Sequence, residues 1–314
     1  MSDFASLFWD YYIAILTVVS VLGCAVFLKL QSTHRVKMTD TPEGRKPETT
    51  GHVWDGDLTE YHHPMPRWWI VLFYLTIFFS VAYLVVYPGL GTAYKGWFGW
   101  SSSAEHNADV KAAAAIYGPL YDAYLAKDLK TVAADPRARQ MGERLFQNNC
   151  ASCHGVDACG ARGFPNLADD DWLFGGTPEA IKTSITDGRN GVMPPMAAAV
   201  GGGENVTDVA HYVLSLSDSA HDAARAARGR EKFAVCAACH GADGKGNQAL
   251  GAPNLADRIW LYGGTVTAIS ETINKGRGST TGSTGQSVMP AHKGILTAGE
   301  IHVLAAYVLS LGGK

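Results

Sequence analysis

Two stretches near the N-terminus carry no charged residue, Tyr11 to Leu28 and Trp68 to Tyr94, and no later apolar run reaches helix-spanning length. Wound as helices rising ~1.5 Å per residue, both are long enough to cross the ~30 Å hydrocarbon core of a bilayer. The first is preceded by Asp3 and Asp10 rather than a basic segment and has no small-x-small cleavage site, so it reads as a retained membrane helix, not a signal peptide. The second is flanked by Arg67, Trp68 and Trp69 on one side and by Tyr94, Trp97 and Trp100 on the other, side chains suited to membrane interfaces. Pro88-Gly89 marks its end. The pattern predicts a transmembrane hairpin over residues 1–100, with helices at about 8–30 and 68–90.

The loop between these helices holds Lys29, Arg35, Lys37, Arg45, Lys46 and Arg67, whereas no Lys or Arg precedes the first helix. The positive-inside rule places the loop in the cytoplasm, and both the N-terminus and everything after Trp100 outside. An Ala-rich stretch over residues 101–138, interrupted at Gly118-Pro119, reads as a helical linker.

Beyond it, short amphipathic segments alternate with Gly- and Pro-rich loops, and the alternation repeats. Gly142, Phe146, Cys150, Cys153, His154, Pro165-Asn166-Leu167, Trp172, Gly188-Arg189 and Met193-Pro194 are answered by Gly229, Phe233, Cys236, Cys239, His240, Pro253-Asn254-Leu255, Trp260, Gly276-Arg277 and Met289-Pro290. Each copy closes on a helix, Tyr212-Val-Leu-Ser-Leu or Tyr307-Val-Leu-Ser-Leu, which Gly142 or Gly229 would let cross closely. The order argues for duplication of one small helical domain, at 139–218 and 222–314. The chief difference is an insertion, Ser279-Thr-Thr-Gly-Ser-Thr-Gly, which reads as a surface loop.

Composition adds little. The net charge of -3 in 314 residues comes without a basic tract, which argues against nucleic acid as a partner. Of the six cysteines, four lie in the repeated Cys-x-x-Cys-His strings, the signature of covalently attached c-type haem. Two thiols add to the vinyl groups as thioethers, and the adjacent imidazole is thereby held to the iron. Zinc is the competing reading, but neither string has a second Cys pair or His pair nearby. Cys24 reads as an inert apolar residue and Cys159 as an unpaired packing residue, with a reactive free thiol as its alternative.

Two covalent haems are therefore expected, at Cys150, Cys153 and His154 and at Cys236, Cys239 and His240, with Met193 and Met289 as the second axial ligands. A His/Met haem is six-coordinate and high in potential, and it passes electrons rather than breaking bonds. Met196 competes with Met193 for the first site, but Met193 alone aligns with Met289; His292 reads as a surface histidine. Arg189 and Arg277 are candidates to neutralise haem propionates, with plain solvated arginine as the alternative. Trp172 and Trp260 fit either propionate contact or an apolar wall, and the remaining histidines show no ligand spacing. Each unit is too small for a large core of its own, so the porphyrin is expected to supply much of it.

Trp54-Asp55-Gly56, then Pro64-Met65-Pro66-Arg67-Trp68-Trp69 ahead of the second helix, together with two haem units, closely resemble the dihaem cytochrome c subunit (CcoP/FixP type) of cbb3-type cytochrome c oxidases. The resemblance covers essentially the whole chain and implies an all-α fold, a two-helix transmembrane hairpin followed by two tandem class I cytochrome c domains. In that fold a proline carbonyl accepts the axial imidazole's N–H, which implies this role for Pro165 and Pro253. The family takes electrons from soluble or membrane-bound donor cytochromes c. It hands them to a monohaem cytochrome c subunit and on to a haem–copper catalytic subunit that reduces oxygen and pumps protons. The resemblance thus implies a non-catalytic redox subunit in the bacterial inner membrane, haem domains in the periplasm. A membrane-anchored dihaem cytochrome serving another dehydrogenase or reductase shares every residue except the loop motif. A dihaem peroxidase would need one open iron, against which both Met-Pro pairs speak.

Overall fold

A computed structural model describes residues 7–33, 36–63, 65–91, 94–278 and 288–312. The Ser279–Gly285 insertion, His34, Arg35 and Pro64 lie outside them. The chain divides into two compact units, residues 1–112 and 113–314.

In the first unit lie α1 (Leu7–Thr33) and α2 (Arg67–Val86), among the described residues the two helices long and apolar enough to cross a membrane. Their side chains face outward: α2 buries none, and Phe78 and Phe79 are among its most exposed. Outward apolar faces suit helices bathed in lipid rather than in a protein core. The second helix stops at Val86, short of the expected residue 90, because Pro88 disfavours helical backbone at Tyr87, which is extended. At that end Asp10, 2% exposed, lies against Gly91, where positive φ and the absence of a Cβ permit the approach.

The loop between the helices holds two hairpins that the hydrophobic pattern did not announce: β1 (Met38–Thr41) with β2 (Gly44–Pro47), and β3 (Thr49–Trp54) with β4 (Leu58–Tyr61). Trp54 pairs with Leu58 across a turn in which Asp55 and Gly56 both take positive φ. Asp-Gly is the strongest short hairpin signal, and Trp54-Asp55-Gly56 owes its form to it.

After α3 (Ser102–Leu125), the second unit is built from α4 (Leu129–Ala134), α5 (Pro136–Asn149), α6 (Ala151–His154), α7 (Pro178–Asp187), α8 (Glu204–Leu216), α9 (Ala223–Lys232), α10 (Ala234–His240), α11 (Val266–Lys275) and α12 (Ala298–Leu311). Starts are written locally: Asp135 and Thr177 cap helices that open on proline, and Thr297 with Glu300 forms a reciprocal capping box.

These helices make two lobes, but the repeats exchange their closing helices. In one lobe α12 crosses α5 and also meets α4 and α7, around Phe146, Ile181, Ile185, Val303 and Leu304. In the other α8 crosses α9 and meets α11, around Val206, Val209, Phe233, Ile269 and Ile273. The glycines work as expected with exchanged partners. A Cβ on Gly142 would run into Tyr307 and the Val303 carbonyl, and one on Gly229 into the Asp208 carbonyl. The sequence blocks 139–218 and 222–314 are thus contiguous repeats whose last helices each complete the other lobe. The cause is the short link after α8: Ser217 to Asp222 leaves α8 little choice but to pack antiparallel on α9.

Candidate metal centres

Each Cys-x-x-Cys-His string ends in a short helix, α6 or α10, that delivers its histidine inward. His154 is 9% and His240 8% exposed. The helices stop at Gly155 and Gly241, whose φ values of 79° and 80° turn the chain back. The amides of Gly160 and Gly246 then donate to the His154 and His240 carbonyls, both at 2.8 Å.

These tight loops bring up the prolines. His154 Nδ1 lies 2.9 Å from the Pro165 carbonyl, and His240 Nδ1 lies 2.9 Å from that of Pro253. A carbonyl only accepts, so Nδ1 carries the proton and Nε2 keeps its lone pair for a metal. Burial, before any other influence, holds both imidazoles below their ordinary pKa and favours the neutral, ligating form. Cys150, half-buried, has its thiol pushed up to about 11 by burial and then by Cys153; Cys236 is raised for the same reasons. Cys153 and Cys239 are exposed, and none of the six cysteines forms a disulfide. Two free thiols per site, one inward and one at the rim, with a buried imidazole between, fit a haem seated on the motif and joined at its edge. Among the described residues no three His, Cys, Asp or Glu side chains converge as a zinc site would require.

The methionines sit across the repeats. Met193 exchanges backbone hydrogen bonds with Arg277, 2.8 and 2.7 Å, and β5 (Arg189–Asn190) pairs with β6 (Val288–Met289) so that Arg189 stands opposite Met289. Gly188 and Gly276, at φ of 72° and 70°, give room for the carbonyls of Met289 and Met193. Met289 packs on the lobe of Cys150 and Trp172, not on that of His240. Met289 is thus placed on the lobe of the first string, and Met193 is tied by its backbone to Arg277 of the second repeat, whereas pairing each histidine with the next methionine in sequence would set Met193 with the first string. Met196 packs with Cys236 and Trp260 on the second lobe.

Arg189 is held by Ser184 Oγ at 2.8 Å and stacks 4.8 Å over Phe174; Arg277 is held by Thr272 Oγ1 and stacks 4.1 Å over Tyr262. Both guanidiniums are thus fixed beside the methionine strands rather than freely solvated. His292 departs from expectation: it is 6% exposed, not a surface residue, because its amide donates to the Ile185 carbonyl and draws it under α7. His302, given no role by its spacing, is 5% exposed, with Lys127's carbonyl at Nε2 and Lys182's ammonium at Nδ1. Cys159 is exposed beside Asp157, whose hydrogen bond raises its pKa, away from the reactive thiolate reading.

Comparison with known proteins covers nearly all of the chain. Residues 46–94 match the N-terminal domain of cytochrome oxidase-cbb3, FixP; 137–213 match cytochrome c oxidase, cbb3-type, subunit III; and 226–312 match cytochrome c. The chain is 50% identical to the cbb3-type cytochrome c oxidase subunit CcoP of Rubrivivax gelatinosus over 311 residues, 99% of this chain and 97% of that protein. It is 40% identical to the CcoP subunit of Cereibacter sphaeroides, over 88% of this chain and 99% of that one. It is also 43% identical to the FixP subunit of Bradyrhizobium diazoefficiens, over 84% and 94%.

Proposed function

This chain belongs to the CcoP/FixP family of cbb3-type cytochrome c oxidase subunits, and on that premise we propose how it serves electron transfer in that oxidase. Cys150 with Cys153, and Cys236 with Cys239, each hold one haem c, which when bound supplies a one-electron iron centre. His154 and Met289 ligate the first iron, His240 and Met193 the second. Pro165 and Pro253 orient the imidazoles, and Arg189 and Arg277 balance propionate charge. The observation that carries this reading is the twofold recurrence of one arrangement: a buried histidine pinned by a proline carbonyl, in a repeat whose arginine pairs with the Met-Pro segment of the other repeat.

Buried, fully ligated sites exclude water and substrate, so the subunit is a relay and not itself the oxygen-reducing centre. Electrons enter from a donor cytochrome c, cross both haems, and leave to a monohaem cytochrome c subunit and then to the haem–copper subunit of a proton-pumping complex. The basic loop between α1 and α2 faces the cytoplasm, and the haem lobes face the periplasm from the inner membrane.

The test is to purify the tagged chain from native membranes in mild detergent and assay haem types, copper and oxygen uptake with a reduced cytochrome donor. Haem b, copper and rapid uptake, lowered by Met193→Leu or Met289→Leu, support the reading. Two c-type haems without oxygen uptake would give the chain a different partner.

A further inference from the structure

Three residues beyond each methionine, the two lobes place a second side chain with a lone pair. Met196 N–H donates to the Ile273 carbonyl at 2.8 Å on α11, and His292 N–H donates to the Ile185 carbonyl at 3.1 Å on α7. Ile185 and Ile273 are equivalent in the repeat, so these two backbones occupy matching positions. Met196 packs with Cys236 against the second lobe's core. His292 is 94% buried by its 6% exposure, and its Nδ1, inside the protein, has no hydrogen-bond partner. A buried imidazole nitrogen left without a partner is unfavourable unless something there pairs with it or binds it. Ile185, which holds His292, lies in the first lobe's core, and Cys150 and Met289 pack against that same core.

We propose that His292 and Met196 are reserve axial ligands, His292 for the iron held by His154 and Met196 for the iron held by His240, each taking the place of its methionine when that sulfur leaves. The inference rests on the crossed ligation proposed above. Its consequence is an asymmetry in an otherwise matched pair. Imidazole favours the ferric iron more than a thioether does, so exchange at the first site lowers its potential, while exchange at the second leaves a His/Met centre. In both cases the iron stays six-coordinate and closed to oxygen.

The test uses the full oxidase complex with M289A, M193A, M289A/H292A and M193A/M196A. It reads spin state by electron paramagnetic resonance, the thioether-to-ferric charge-transfer band, and the midpoint potential of each c-type haem. M289A is expected to stay low-spin, lose one thioether band and fall in potential, and to become high-spin only when H292A is added. M193A is expected to keep its thioether band until M196A is added. High-spin iron in either single variant overturns the proposal for that site and leaves the ligation reading intact. A wild-type complex lacking thioether bands overturns both. Should M289A not accumulate, H292A with Met289 in place is titrated with cyanide at the c-type absorption bands. Bound cyanide should then be displaced on washing by a return to low-spin Met289 ligation in both H292A and the wild type. A bis-imidazole low-spin signal that appears in the wild type at alkaline pH should be absent from H292A; the same signal in H292A overturns the assignment.

Discussion

Asp208 on α8 and Arg228 on α9 face each other through two charge-assisted hydrogen bonds of 2.8 and 2.9 Å, and Arg225 approaches the same carboxylate at 3.3 Å. The equivalent positions on the other crossing are Val303 on α12 and Ala138 and Met141 on α5, all apolar. The uncrossed arrangement would bury Asp208 against Ala138 and Met141 without a partner, and set Val303 against two arginines. An unpaired buried charge is costly enough to reject that pairing, so these residues act with the short link after α8 to select the exchanged topology.

Asp208→Ala should therefore destabilise the second lobe by about 2 kcal/mol, below the roughly 3 kcal/mol minimum for a fully buried pair because Arg228 is 55% exposed and screened by water. Hydrogen bonds from Arg228 above all, with the charges of Arg228 and Arg225, hold the Asp208 carboxyl below the ordinary carboxylate range. A depressed native pKa means that this stabilisation is fully present above the unfolded value of about 3.9 and is lost as pH falls through the native one. Urea denaturation across acid pH should show that loss in the wild type and a flatter profile in Asp208→Asn; equal slopes would refute the assignment.

Much of this was open to reading in the sequence and some was not. The haem strings, the membrane hairpin and the close crossing at Gly142 and Gly229 are written in residue types whose physics is local. The partner of each crossing is not local, because α8 and α12 end in the same Tyr-Val-Leu-Ser-Leu and offer α5 or α9 nearly the same apolar face. The signals that decide it, Asp208 against Arg225 and Arg228, emerge only when the repeats are aligned as helix pairs. The hairpin at Asp55-Gly56 was legible from its turn residues but was masked by the lack of strict alternation in its strands. The burial of His292 goes with backbone hydrogen bonds from His292 and Lys293 to α7, for which no sequence pattern exists.

Adding a single methyl group at the crossings should be expensive. Gly229→Ala meets the backbone of Asp208, and Gly142→Ala meets Tyr307 and the Val303 carbonyl, so each should cost about 1–3 kcal/mol through overpacking. Gly118→Ala, on α3 with nothing within 4 Å of the new Cβ, serves as the control and should gain up to about 1 kcal/mol of helix propensity. Thermal melts of the detergent-solubilised protein separate the three; a stable Gly229→Ala would mean that α8 and α9 cross less closely.

The topology is open to direct assay. Alkaline phosphatase fused after Trp100 should be active, since the enzyme matures only outside the cytoplasm, while a fusion within the turn at Asp57 should be inactive. The reverse result would invert the hairpin and place the haem strings where attachment does not occur.

The exchanged helices make the sharpest forecast, because the two lobes differ in continuity. All parts of the second lobe, Met193, α8, α9, the Cys236 string and α11 with Arg277, lie in one uninterrupted run from Gly188 to Gly278. The first lobe instead needs α5 to α7 from one region and Met289 with α12 from another. Exported to the periplasm, a 188–278 fragment should fold and carry one low-spin His/Met haem, although it starts with what in a contiguous repeat is the last helix. A 113–220 fragment, a complete repeat by sequence, should fail: its α5 lacks α12, its own α8 presents Asp208 to Ala138, and His154 has no methionine from the other repeat. Circular dichroism and the thioether band of the two fragments decide the matter. A well-folded 113–220 fragment with His/Met ligation would show that the closing helices can return to their own repeats, and that the crossed pairing is only one of two accessible folds.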